Sequence, residues 1–341
     1  MSNLKTRPRP LIFGCEGYHL LPEEREFFTE SNPFGFILFE RNISSPTQVR
    51  CLINDLRGLT GNVDLPILID QEGGRVARLR PPYWRIFLAA RQLVSRTGDD
   101  VEKTCRAIFI NSRILAHELS ELFITIDCMP VLDLAVAGAH EVIGDRAYGS
   151  APERVAKYGR AACDGLLAGG ILPVIKHIPG HGRATVDSHI SLPSIQSKRN
   201  ELERTDFVPF RALRHMPLGM TAHVVFSDID PMRPATLSPV IVSDVIRGDI
   251  GFDGLLITDD ICMSALQGSL LERAQASLSA GCDIILHCSS ILSEMKELAG
   301  GIKTMADSSW RRAERAVEFS TKQFARMDLE VARKELVRLM A

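Results

Sequence analysis

Leu255-Leu256-Ile257-Thr258-Asp259-Asp260 is a short apolar run that ends abruptly in two carboxylates. Continuous rather than alternating hydrophobicity marks a parallel strand covered on both faces. The carboxylates put charge where that strand breaks surface. The same pattern recurs along the chain, at Leu11-Ile12-Phe13, Gly35 to Phe39, Pro66 to Ile69, Ile124 to Ile126 continuing into Val131-Leu132, Leu172 to Ile175, Met220 to Val225 and Asp283 to Leu286. These candidate strands number about eight, the count that a (β/α)8 barrel needs. Polar residues follow them: Glu16, Glu40-Arg41-Asn42, Asp70-Gln71-Glu72, Asp133, Lys176-His177, His223, Asp259-Asp260 and His287. In a barrel such strand ends converge on one mouth, where active sites of that fold are built, whereas a doubly wound sheet would spread them along a line. The pattern predicts an α/β protein, a single TIM barrel.

Between the strands lie helical patterns with start signals. Pro46 to Leu59 follows Ser44-Ser45, Pro152 to Ala168 follows Ser150, and Pro239 to Arg247 follows Ser238, each with proline in the first turn. Leu266 to Ala280 and the amphipathic Val101 to Leu122 are further helices, and Ser308 to Met340 reads as one or two terminal surface helices. No low-complexity linker or composition shift interrupts the chain, so residues 1–341 are read as one domain ending in C-terminal helices.

The 45% hydrophobic and 24% charged content of the 341 residues is that of an ordinary globular protein, neither disordered nor collagen-like. A formal net charge of -2 provides no basic footprint for nucleic acid and no polybasic arm for lipid. The start, Met1 to Pro10, leads into too short an apolar run for a signal peptide, and no later stretch could span a bilayer. The expectation is a cytoplasmic protein with a small-molecule partner, whose oligomeric state stays open. The eight cysteines lack any CxxC spacing and lie mostly in apolar contexts, which suits reduced buried thiols better than disulfides or a zinc site.

The chemistry concentrates in Lys176-His177-Ile178-Pro179-Gly180-His181-Gly182-Arg183-Ala184-Thr185-Val186-Asp187-Ser188-His189. Three histidines, a lysine and an aspartate around glycines and a proline suit general acid–base work. A metal site of His177, His181 and His189 is the rival reading, weakened because i, i+4 histidines share a face only on a helix, which Pro179, Gly180 and Gly182 disfavour. A carboxylate two residues before His189 can orient the imidazole and favour its charged form. In Asp70-Gln71-Glu72-Gly73-Gly74-Arg75-Val76-Ala77-Arg78, Asp70 is aimed at the mouth and the glycines let the backbone approach a ligand. Asp145-Arg146 reads either as part of the site or as a loop ion pair. Of Asp259 and Asp260, strand alternation sends at most one into the site without saying which, and the other is free to cap a helix. Together these features suggest a hydrolase with a loop-borne acid and a strand-end nucleophile.

Several motifs, in order, resemble the glycoside hydrolase family 3 β-N-acetylhexosaminidases, in particular the bacterial cytoplasmic type that works in peptidoglycan recycling. They are Gly35-Phe36-Ile37-Leu38-Phe39 with Arg41-Asn42, Asp70 to Arg78, Pro130-Val131-Leu132-Asp133, Ile143-Gly144-Asp145-Arg146, Lys176 to His189, Met220-Thr221-Ala222-His223, and Gly251-Phe252-Asp253-Gly254 into Thr258-Asp259-Asp260. The resemblance implies one TIM barrel with a long loop after the fifth strand and no metal or other cofactor. It implies Asp259 as nucleophile, His189 as an unusual histidine acid/base, and Asp187 as the carboxylate that orients it. It implies that Asp70, Arg78, Arg146, Lys176 and His177 hold a non-reducing N-acetylglucosamine, and that the substrate is a saccharide such as a GlcNAc-1,6-anhydro-MurNAc muropeptide. Two departures stand out: Ile178 replaces a common aromatic, and Arg183 replaces an acidic or small residue. Because a histidine acid/base does not repel an incoming anion, a phosphorylase using phosphate as acceptor is the alternative. A catalytically silent sugar-binding protein would lack Asp187, His189 or Asp259, and a metal-dependent barrel hydrolase would respond to chelators.

Overall fold

The computed structural model describes residues 7–320 and 327–341. Met1 to Thr6, and residues 321–326 of the stretch expected to form the terminal helices, lie outside the described residues. Eight parallel strands close into a barrel: β1 (Arg9–Phe13), β2 (Pro33–Leu38), β3 (Ile67–Ile69), β4 (Ile126–Asp127), β5 (Leu172–Ile178), β6 (Leu218–Thr221), β7 (Leu255–Asp260) and β8 (Ile284–His287). Each pairs with its sequence neighbours, and β1 closes on β8 through Leu11 opposite Ile285 and Phe13 opposite His287. Helices connect the strands, the topology of a TIM barrel.

The continuous apolar runs follow from two burials at once. Ile12, Ile37, Leu68, Val174, Ile257 and Ile284 share the core inside the barrel. Their neighbours Leu11, Phe13, Phe36, Leu38, Ile67 and Ile69 pack outward with the helices. Successive side chains on a strand point to opposite faces, so burial on both sides demands an apolar residue at every position. Helix starts are secured locally. Ser45 Oγ accepts the Gln48 amide at 3.2 Å, Asp100 Oδ1 accepts the amides of Glu102 and Lys103 at 3.0 Å, and Ser269 and Glu272 form a reciprocal capping box.

The observed elements differ from the expected ones in definite ways. Strand β4 stops at Asp127, since the Met129 amide turns back to the Asp127 carbonyl (2.8 Å) and Pro130 has no N–H to offer; Val131 rejoins only as an isolated bridge to Lys176. The run expected from Met220 to Val225 divides: the barrel strand ends at Thr221, and Val225–Phe226 joins a small side sheet with Ser194–Ile195 and Asp230–Pro234. The helix expected from Pro239 does begin there but is π-wide from Ile241 to Asp249, closing through an Ile250 amide to Val245 carbonyl bond. Helix Pro152–Leu167 is preceded by Ala151, with no side-chain cap from Ser150. The terminal stretch holds two helices, Asp307–Ser320 and Leu329–Leu339. Helices Pro22–Ser31, Ala90–Thr97 and Leu292–Gly301 were not foreseen. Among the described residues no helix is long and apolar enough to cross a membrane.

Candidate active site

The C-terminal ends of β2, β3, β5, β6, β7 and β8 surround a cavity of about 310 Å3 whose lining includes Asp70, Arg78, Arg146, Lys176, His177, His189 and Asp259. All five expected sugar-holding residues and both expected reacting residues therefore share one space; Asp187 stands behind His189.

The floor is an ion network. Lys176 Nζ, at the end of β5, lies 2.9 Å from Asp70 Oδ1 and 2.6 Å from Glu72 Oε1. Glu72 also accepts two parallel bonds at 2.8 Å from Nε and Nη2 of Arg146, and Arg78 reaches Asp70 Oδ2 at 3.3 Å. Little of this is exposed: 3% of the Lys176 side chain, 7% of Glu72 and 11% of Arg146. Burial alone would neutralise Glu72, but the adjacent Arg146 and Lys176 outweigh it and hold the carboxyl well below the usual range. Burial would likewise strip the Lys176 proton, and Asp70 and Glu72 reverse that, raising its proton affinity. Asp70 is pushed up by burial and brought below its ordinary value by Lys176 and Arg78.

Glycines and arginines of this segment divide their work differently from the sequence reading. Gly73 (φ +101) and Gly74 (φ +57) admit the close approach of Leu88 and Ala89, so they serve chain packing rather than ligand approach. Arg75 pairs with Asp145 at 2.6 Å and with the carbonyls of Glu141 and Val142, which makes Asp145 a loop ion pair and leaves Arg146 facing the cavity.

The two carboxylates of β7 are now distinguishable. Asp260 Oδ1 accepts the backbone amides of Cys262 (3.0 Å) and Cys288 (3.1 Å), tying the ends of β7 and β8 together. It starts a turn, not a helix; the next helix is capped by Ser269. Asp259 Oδ1 takes only the Asp260 amide at 2.8 Å. Burial pushes the Asp259 carboxyl up, while His177, His223, that amide and Lys176 pull it down, to about 2. It is an anion in the working range.

His177 Nδ1 lies 2.6 Å from the buried Asp133 Oδ2, and Asp133 Oδ1 accepts the His181 amide at 2.7 Å. His181 turns Nε2 to Ser188 Oγ (3.1 Å), and burial, then His177, push its ring down to about 4, so it is neutral. The three loop histidines are thus separately engaged and form no group with metal-ligand spacing among the described residues. The loop itself is held at several points. Arg183 binds Asp206 (2.7 Å), Glu201 (2.6 Å) and Thr205 (3.2 Å), and the Ser188 carbonyl accepts the Ala265 amide (3.2 Å). At its far end His189 Nδ1 lies 2.7 Å from Asp187 Oδ1, which also accepts the His189 amide at 2.9 Å. With 65% of its side chain exposed, His189 is the most accessible group of the set, and Asp187 is 21% exposed. Burial raises the Asp187 carboxyl, but the amide and ring of His189 overcome this and hold it below its ordinary value. A carboxylate on Nδ1 fixes the proton there and leaves Nε2 as the nitrogen for proton exchange.

Sequence reasoning did not give Glu72 its part as the hub between Lys176 and Arg146, although Glu72 stood in the quoted motif. It also passed over Phe39 and Met263 in the lining, and over Asp127 beneath the network. Asp127 Oδ1 accepts the Gln71 amide, Oδ2 has no partner, and burial pushes its carboxyl up to about 8.

The sequence profile of the Glycosyl hydrolase family 3 N terminal domain matches residues 19–318. Among curated proteins, a β-hexosaminidase of Alkalilimnicola ehrlichii is 40% identical over 284 residues, 82% of this chain and 80% of that protein. Another, of Tolumonas auensis, is 37% identical over 289 residues, 82% of this chain and 83% of that one. Among solved structures, NagZ from Neisseria gonorrhoeae in complex with N-trifluoroacetyl-D-glucosamine superposes with a TM-score of 0.87 at 32% identity, covering 98% of this chain and 99% of that one. With this cavity at the mouth of a TIM barrel and these relatives along most of its length, the chain belongs to glycosyl hydrolase family 3, among its β-hexosaminidases.

Proposed function

We propose that the chain, acting over residues 1–341 as one barrel domain, is an exo-acting retaining β-N-acetylglucosaminidase. It releases non-reducing terminal N-acetylglucosamine from GlcNAc-1,6-anhydro-MurNAc muropeptides in cytoplasmic cell-wall recycling. The observation that carries the mechanism is the state of the cavity's carboxylates. Asp70 and Glu72 are bound in ion pairs and Asp260 Oδ1 takes two amides that tie β7 to β8, whereas Asp259 takes a single amide, on Oδ1, and has no ion pair among the described residues. Retaining glycosidases need a nucleophile and a separate acid. His189, with Asp187 behind it, supplies the second function.

In this mechanism Asp259 attacks the anomeric carbon while protonated His189 delivers its Nε2 proton to the departing oxygen. Asp187 stabilises the imidazolium. The resulting glycosyl-Asp259 ester is then opened by water, whose proton goes to the now neutral His189. The Asp70, Arg78, Arg146, Lys176 and His177 set, buried at Lys176 and His177 and partly exposed at the other three, closes one end of the site around a single sugar, which supports exo action. The N-trifluoroacetyl-D-glucosamine bound by the Neisseria relative supports a 2-acetamido sugar in that place.

The test is hydrolysis of a chromogenic N-acetyl-β-glucosaminide beside the matching β-glucoside, each with and without phosphate. The proposal expects strong preference for the acetamido substrate and free N-acetylglucosamine as product in both buffers. Equal rates on the glucoside overturn the specificity, and phosphate-dependent release of the sugar 1-phosphate overturns hydrolysis in favour of phosphorolysis.

A further inference from the structure

Behind the cavity, on the side of β7 and β8 away from the sugar-facing set, three residues from separate segments meet. Cys262 follows β7, His287 ends β8, and Glu294 lies in the helix Leu292–Gly301. Their donor atoms all fall within 4.8 Å of one another. None of the three lines the cavity.

Several observations point to a cation site. His287 Nε2 is already 3.1 Å from Glu294 Oε2. Two ligand atoms each about 2 Å from a tetrahedral zinc stand about 3.3 Å apart, so this pair needs little adjustment. Glu294 Oε2 also accepts the Ser289 hydroxyl at 2.6 Å and Asp260 Oδ1 accepts two amides, but no lysine or arginine pairs with either carboxylate among the described residues. His287 is fully buried, and its Nδ1 has no hydrogen-bond partner. That leaves Nε2, the nitrogen facing Glu294, as the ring's ligand atom. The Glu294 side chain is 30% exposed, which opens a path from solvent.

We propose that Cys262, His287 and Glu294 bind a thiophilic divalent cation of the zinc class, separate from the histidine loop. Thiolate, imidazole and carboxylate are all zinc ligands, and a thiolate selects against magnesium and calcium. Binding breaks the Cys262 S–H bond, forms a metal–sulfur bond and releases the proton to solvent. His287 gives its Nε2 lone pair and carries its ring proton on Nδ1, now unpartnered. Water takes the fourth position. The cation joins the end of β7, three residues past Asp259, to β8 and its helix, reinforcing the link that Asp260 makes through the amides of Cys262 and Cys288. The cysteine spacing gave no hint of this site because its ligands come from three segments.

The test is Co2+ titration of the chelator-treated full chain, because a near-ultraviolet sulfur-to-cobalt charge-transfer band reports thiolate ligation and is silent for any cation held by the loop histidines. One equivalent should develop the band, and Zn2+ should abolish it by displacement. Cys262→Ser should remove it, and Glu294→Gln should weaken Co2+ binding at least ~10-fold, the scale on which even outer groups around a metal matter. Circular dichroism shows whether each variant is folded. Absence of the band in the unaltered chain overturns the proposal, whatever the variants do. A band unchanged in folded Cys262→Ser overturns it too, by placing the thiolate elsewhere.

Discussion

Replacing Glu72 with glutamine separates the ion network from the proton-transfer machinery. The change keeps the side chain's shape and one acceptor oxygen but removes its charge. Lys176 retains Asp70 at 2.9 Å, whereas Arg146 loses its only carboxylate partner and keeps the Val142 carbonyl at 3.1 Å and one neutral amide oxygen. Only 11% of the Arg146 side chain reaches solvent, so water replaces the carboxylate poorly. Removing one partner of such a buried pair costs about 3–5 kcal/mol, since it strands the other charge. Equilibrium urea unfolding, followed by the fluorescence of Trp84 and Trp310, should show that loss as a lower midpoint at unchanged slope. Turnover should fall by the same factor for aryl N-acetylglucosaminides with acidic and with poor leaving groups, because the damage is to sugar binding. If stability is unchanged and only poor leaving groups suffer, Glu72 is the proton donor and the assignment of His189 fails.

Replacing His189 with alanine should slow substrates with poor leaving groups about 10²–10⁴-fold while sparing activated aryl glycosides, as Brønsted comparison of kcat/KM across phenols will show. Asp187→Ala should give the same pattern more mildly; a uniform loss in either variant would mean that the loop only binds sugar. Asp127 contributes to a pH dependence of stability. Its carboxyl is pushed up to about 8 in the folded chain against 3.8 unfolded, so between those values the folded state holds a proton that the unfolded state has released. Stability from this group is therefore present below about pH 4 and is lost as pH rises through 8, with a slope of up to about 1.4 kcal/mol per unit. Asp127→Asn keeps the acceptor for the Gln71 amide and should flatten that decline in urea midpoints; a parallel profile would contradict it.

The barrel was legible because burial on both faces leaves a strong trace in sequence: each strand is an apolar run, and charge appears where it ends. The site was legible for a related reason. Asp70, Lys176, His177 and Asp259 follow directly from strand ends, and His189 with Asp187 lies in a loop too rich in titratable groups for a connector. What sequence spacing could not show was pairing across the mouth. Glu72 and Arg146 are 74 positions apart, and only the fold makes them a bidentate pair. Likewise nothing in Asp259-Asp260 says that the second carboxylate will be consumed by two backbone amides, one of them from β8. The break of β4 at Met129-Pro130 and the departure of Val225 into the side sheet were hidden because an apolar run reads as one strand whether or not the backbone bends within it.

The central claim is that Asp259 forms a covalent bond to the sugar. Incubation with a 2-fluoro glycosyl or a 5-fluoro N-acetylglucosaminyl trap, followed by proteolysis and mass spectrometry, tests it directly. The account predicts a single glycosyl adduct on Asp259, absent in Asp259→Ala and formed more slowly with poor leaving groups in His189→Ala. An adduct on Asp260, or inactivation of the enzyme with no adduct on this strand, would contradict it.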